Sequence, residues 1–111
     1  MYKRNIENRM IDGLFEALSL VRTREEYYRF FEDICTVGEL NAIAQRLEVA
    51  KMLANEQTYT HIAEATGAST ATISRVKKCL NYGSDGYKLV LERLKEKKEK
   101  VKQAIALSYD P

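Results

Sequence analysis

At 111 residues the chain is the size of one domain, large enough to bury a core with little room for a second, and it reads as a single helical folding unit over residues 1–111. Charged residues make up 31% and hydrophobic ones 45%, with one Pro and five Gly, a balance that excludes disordered and fibrous classes and favours helix. A net charge of +2 does not by itself identify a nucleic-acid binder, so any electropositive surface must come from clustering.

No apolar stretch approaches the roughly 20 residues that a membrane-spanning helix requires, and the N-terminus lacks a hydrophobic signal core. These features predict a cytoplasmic protein with no membrane partner. Cys35 and Cys79 lie far apart, each in a helical pattern, and the chain has a single histidine. Two buried free thiols are expected, with no metal site and no cofactor.

Ile6, Met10, Leu14, Leu18 and Val21 recur at four- and three-residue spacing, widened by Ile11 and Phe15, which predicts a first helix from about Asn5 to Val21. Its apolar surface is broad for the exposed end of a small protein, and covering it calls for a partner chain. Thr23 suits the N-cap of a second helix, with Glu25 and Glu26 in the first turn. That helix carries Tyr27, Tyr28, Phe30, Phe31 and Ile34 and is expected to stop near Thr36 and Gly38. A third helix follows from about Glu39 to Ala54, with Leu40, Ile43, Leu47, Ala50 and Leu53 inward and Asn41, Gln45, Glu48 and Lys51 outward.

After a polar break at Asn55 to Thr58, two short helices flank Gly67. Asn81 to Gly86 links them to a last helix from about Tyr87 to Leu107, whose stretch from Arg93 to Lys102 is mostly Lys and Glu and reads as a solvated face. There is no alternating pattern that would predict a sheet, so the fold class is all-α.

The segment with a chemical signature is the helix-turn-helix at about 59–80. Ile62 and Ala63 point inward from its first helix. Gly67 stands where the chain turns sharply with positive φ. Ser69 is a natural N-cap for the second helix, and Ile73 and Val76 anchor that helix to the core. The opposite face then carries Thr70, Ala71, Ser74, Lys77 and Lys78, with Ser69, Thr72 and Arg75 close by. Short hydroxyls and a methyl near a helix N-terminus can approach base edges, and Lys and Arg further along meet phosphates, so this is the composition of a recognition helix in double-stranded DNA. Tyr59, Thr60 and His61 begin the preceding helix, whose first N–H groups can hold a phosphate.

From Thr36 to Leu80, on the stretches Ile43-Ala44-Gln45-Arg46 and Gly67-Ala68-Ser69-Thr70-Ala71-Thr72-Ile73-Ser74-Arg75, the chain resembles the tryptophan-repressor superfamily. The likeness is greatest to its branch of small repressor-like proteins of the YerC/YecD type. The resemblance implies six helices per chain and an intertwined homodimer in which the N-terminal helices of one chain wrap the other. In the tryptophan-binding members two arginines sandwich the indole ring and threonines help to fix it. Arg46 and Arg75 fall on the arginine positions, and Thr36 and Thr72 on the threonines. Val76 and Cys79 stand where those members have glycine and serine. The resemblance therefore outlines an effector site at Thr36, Arg46, Thr72, Arg75 and Cys79 for a small aromatic or anionic ligand, with a fuller floor that favours a ligand-free version.

Three function classes remain. The first is a dimeric, sequence-specific transcription regulator, expected to be a repressor, on a near-palindromic operator. The second is a helix-turn-helix module used mainly for protein–protein contact, which predicts little salt-dependent DNA affinity. The third is a small helical enzyme with an arginine-lined pocket. It is disfavoured by the single histidine and the absence of a signature for an activated nucleophile.

Overall fold

The computed structural model describes Arg4, Ile6 and residues 8–108, and among them there are six helices and no strand. Helix α1 spans Arg9–Leu18, starting later than the apolar spacing suggests because the Asn8 side chain accepts from the Ile11 N–H at 2.8 Å and caps it. Asn5, where a start is expected from sequence, lies outside the described residues. Helix α2 spans Arg24–Ile34 and is capped by Thr23, whose hydroxyl accepts from the Glu26 N–H, while the Glu26 carboxylate accepts from the Arg22 N–H.

Helix α3, Val37–Ala54, begins two residues before the position expected from sequence, so Gly38 lies inside it. A reciprocal capping box explains the earlier start: the Glu39 N–H donates to the Thr36 hydroxyl at 3.1 Å and the Thr36 N–H donates to the Glu39 carboxylate at 2.9 Å. The chain leaves α3 through Glu56, which sits at φ 59°. Helices α4 (Tyr59–Thr66), α5 (Thr70–Tyr82) and α6 (Gly86–Ser108) complete the chain.

The chain divides into two compact units, residues 1–43 and 44–111. In the first, neither α1 nor α2 has a fully buried residue. The α2 rings pack among themselves, Tyr27 stacking on Phe31 at 6.5 Å and Phe30 meeting Phe31 edge-on at 5.8 Å. Arg24, Tyr27, Tyr28, Phe31 and Leu40 line an apolar groove of about 280 Å3.

The second unit holds the core. Val49, Ala50, Ile62, Ala68, Ile73 and Val76 are buried, with Met52, Leu53, Tyr59, Ala63, Leu80, Tyr87 and Leu91 packed around them. Three expectations from sequence need correction. On α3 the buried face centres on Val49 and Ala50, leaving Ile43 about half exposed and Gln45 half-buried. Of the stripe expected from sequence, Ala50 is buried and Leu40, Leu47 and Leu53 are half-buried, so Ile43 alone is off it, and Val49 joins it. Both cysteines are free, but Cys79 is exposed and Cys35 half-buried. Cys79 is one residue, about 100° of helix rotation, away from the inward line of Ile73, Val76 and Leu80.

Candidate nucleic-acid interface

The two helices of the reading head are each fixed at their start by a hydroxyl. Thr58 accepts from the His61 N–H at 3.2 Å to cap α4, and Ser69 accepts from the Thr72 N–H at 3.1 Å to cap α5. Between them Gly67 takes φ 73°, the left-handed conformation that closes a helix C-terminus, and its N–H donates to the Ala63 carbonyl.

Three further bonds lock this turn. The Thr66 hydroxyl donates to the Ile62 carbonyl at 2.7 Å and accepts from the Ala68 N–H at 3.1 Å. From α3, the Gln45 Nε2 donates to the Thr66 carbonyl at 3.1 Å. Ala68, buried in the core, and Ile73 and Val76, each 1% exposed, then hold α5 by its inner face.

The outer face of α5 is consequently exposed at Thr70, Ala71, Ser74, Arg75, Lys77 and Lys78, with Ser69 exposed at the cap and Thr72 half-buried beside it. The Ser69 hydroxyl donates to the Thr72 hydroxyl at 3.1 Å, so Thr72 is partly committed to the cap. On α4, Thr60 and His61 are exposed and Tyr59 is half-buried. The Lys77 Nζ lies 5.5 Å from the centre of the Tyr59 ring, a cation–π contact that brings a positive charge from α5 to the first turn of α4. Nine of the eleven residues singled out as DNA-contacting from sequence are thus exposed, all but the half-buried Tyr59 and Thr72, and of the nine Ser69 is committed to the helix cap and Lys77 to the Tyr59 ring.

Of the residues expected to hold an effector, Thr36 belongs to the N-terminal unit and Arg46, Thr72, Arg75 and Cys79 to the C-terminal one. Thr36 is engaged in the capping box of α3. Arg46 is half-buried, Arg75 and Cys79 are exposed, and Val76 is buried in the core. The capping box holds the Glu39 carboxyl below its ordinary value, first through the Thr36 N–H and then through the Thr36 hydroxyl. Glu48 pairs with Lys51 at 3.6 Å, and the Glu39 carboxylate accepts from the Thr36 N–H.

Sequence reasoning missed four features of the chain. Gln45 reads as an outward polar residue on α3, and nothing local marks it as a partner of Thr66. The Thr58 cap and the Thr-x-x-Glu capping box at 36–39 are legible patterns. The groove on α2 arises mainly from aromatic residues that the sequence places on that helix without showing what they face.

A family model described as Trp repressor protein matches residues 9–95. The uncharacterized protein YerC of Bacillus subtilis (strain 168) is 53% identical over 91 residues, 82% of this chain and 88% of YerC. The Trp operon repressor homolog of Chlamydia caviae is 34% identical over 83 residues, 74% of this chain and 82% of that protein. A crystal structure of a TrpR like protein from Eubacterium eligens is similar with a TM-score of 0.77 at 53% identity, covering 79% of this chain and 91% of the other.

Proposed function

The chain belongs to the Trp repressor family, and from that premise we propose that it is a sequence-specific transcription regulator, a repressor that binds a near-palindromic operator as a dimer. The observation that carries this reading is the two-sidedness of α5: Ile73 and Val76 are buried while Thr70, Ala71, Ser74, Arg75, Lys77 and Lys78 are exposed. A helix gripped by one face and hydroxyl-rich and basic on the other can enter a major groove without rearrangement of its own core.

In this reading Thr70, Ala71 and Ser74 meet base edges, and Arg75, Lys77 and Lys78 meet phosphates, with Ser69 and Thr72 fixing the helix start beside the backbone. Tyr59, Thr60 and His61 present the first turn of α4 to a flanking phosphate, where Lys77 adds its charge across the Tyr59 ring. Two such heads in a dimer reach half-sites about one duplex turn apart. The dimer is an intertwined one that covers the apolar surface of α1 and the α2 groove, and the protein works in the cytoplasm.

Selection of bound duplexes from a random pool tests the proposal, and a two-fold symmetric consensus is the expected result. A selection without any consensus, together with an affinity that does not change between two salt concentrations, would replace it with a module for protein–protein contact.

A further inference from the structure

Helix α6 extends from Gly86 to Ser108, whereas the family match ends at residue 95. Its first turns join the core through Tyr87 and Leu91. The same line continues past the core at positions 91, 94, 98, 101 and 105, occupied by Leu91, Leu94, Lys98, Val101 and Ile105, the alternating three- and four-residue spacing of a coiled-coil seam. Leu94, Val101 and Ile105 are 40%, 50% and 52% exposed.

The charges around this seam are sorted. With Leu91, Lys98 and Ile105 at a and Leu94 and Val101 at d, the flanking e and g positions hold Lys95, Lys97 and Lys102, with Ala104 the remaining g after Lys97. Glu92, Glu96 and Glu99 fall at b and f, on the far face. Among the described residues none of these three lysines enters an ion pair. The outer face also carries Arg93 and Lys100 at c, so the stretch that reads as a solvated face from composition combines an outer face of mixed charge with an apolar seam rimmed by lysines alone.

That sorting selects the occupant. A second copy of α6 would set lysine against lysine at the rims in either direction, which opposes self-pairing. A lipid surface favours a broad apolar face rich in large side chains, and this one is a single narrow line interrupted by Lys98. We propose that the projecting half of α6 docks an amphipathic helix of a partner protein that carries aliphatic residues at its own a and d positions and Glu or Asp at e and g. An acidic or amide group facing Lys98 fixes the register. The seam is separate from the reading head, so docking and DNA binding occupy different residues.

The test uses the full chain and two synthetic three-heptad helices with identical Leu and Ile seams, one bearing Glu at every e and g position and the other Lys. Titration by fluorescence anisotropy should show the Glu helix binding at least about tenfold more tightly than the Lys helix, a preference that shrinks as salt is raised. The triple variant Lys95→Glu, Lys97→Glu, Lys102→Glu should reverse the preference. The double variant Val101→Ser, Ile105→Ser should bind neither helix and keep the wild-type melting curve, because both positions are exposed and outside the core. Equal affinity for the two helices, or none for either, overturns the proposal. A fall in the sedimentation mass of the double variant also overturns it, because that result assigns the seam to a second copy of the chain.

Discussion

The side-chain amide of Gln45 on α3 donates to the Thr66 carbonyl at 3.1 Å, tying the helix that leads into the core to the last turn of α4. Thr66 in turn holds the Ala68 N–H, so one amide group secures the turn from which the recognition helix departs. Replacing Gln45 by Ala should leave that carbonyl without its half-buried partner and lower stability by about 1–2 kcal/mol. Urea denaturation measures this loss, and faster hydrogen exchange at the Ala68 amide would localise it to the turn. Unchanged exchange at Ala68 would mean that the turn holds itself.

Two glycines near the recognition helix are required for different reasons, and one substitution separates them. Gly67 has φ 73°, yet an added Cβ would lie 4.0 Å from the nearest side-chain atom, so Gly67→Ala meets only backbone strain, costing about 1–2 kcal/mol, and a β-branched Val costs about 1–3 kcal/mol. Gly83 has negative φ, but a Cβ there would come 2.4 Å from the Cys79 carbonyl oxygen, which forces the end of α5 to move. Gly86 has open space around it. Stability should rank Gly86→Ala above Gly67→Ala above Gly83→Ala in thermal denaturation. A well-tolerated Gly83→Ala would show that α5 can end in another way.

Much of this architecture is legible in the residues alone. The turn at Gly67, the Ser69 cap, the Thr23 cap and the inward pair Ile73 and Val76 all follow from local chemistry, because each acts within a few residues of itself. Gln45 does not, since its partner is 21 positions away and its polar type suits a surface equally well. The burial expected for Ile43 fails for a related reason. A stripe of apolar residues fixes which face of a helix is apolar but not how far along the helix the core extends, and here the core begins at Val49. Cys79 was expected to be buried from residue type, whereas its angular position on α5 decides its exposure.

Salt dependence tests the orientation of α5. Lys77→Ala with Lys78→Ala should weaken binding to every duplex and make the slope of log affinity against log salt shallower by about 1 to 2, since each lost phosphate contact releases one fewer counterion. Thr70→Ala should instead change the bases preferred at one position of each half-site. Tyr59→Leu removes the ring beneath Lys77 and should lower affinity without changing base preference. A Lys double variant with unaltered affinity and slope would turn the other face of α5 toward the duplex.

The capping box of α3 gives stability an acid-side dependence. Glu39 is held below its ordinary value in the folded chain by hydrogen bonds from Thr36, so its contribution is fully present above the unfolded value near 4.5 and is lost as pH falls through the lower folded value. Glu39→Gln keeps an acceptor at the same place and removes the titration. Its stability, followed by urea denaturation across a pH series, should fall less steeply than that of the parent below the unfolded value. Parallel curves would assign the acid limb to other carboxylates.

Dimerisation is testable by dilution. Met10, Phe15, Leu20, Tyr28, Ile34 and Val37 are all at least half exposed in the single chain, and neither α1 nor α2 contains a fully buried residue. That much apolar surface calls for a second chain, and where the N-terminal helices fold only against a partner, the melting temperature rises with protein concentration. Sedimentation should show a dimer, and Phe15→Glu should dissociate it. A folded monomer at low micromolar concentration would contradict both the intertwined dimer and a two-fold symmetric operator.

Val76 decides what to expect of an effector. The tryptophan-binding members of the family have glycine at this position, where a flat ring needs room, whereas here the valine side chain is buried in the core beside Ile73. Thr72 shares its hydroxyl with the Ser69 cap, and Thr36 with the start of α3, so two of the polar groups expected to hold a ligand already have partners within the chain. The reading head is then held by Gln45, Thr66 and the packing of Val76 without a ligand to order it, and an effector that binds free and DNA-competent states equally shifts nothing. Calorimetry with L-tryptophan and related aromatic acids, with and without operator DNA, should give no heat and an unchanged operator affinity. Micromolar binding that Arg46→Ala or Arg75→Ala abolishes would overturn this and restore a clamped ligand between those two side chains as the device that orients the head.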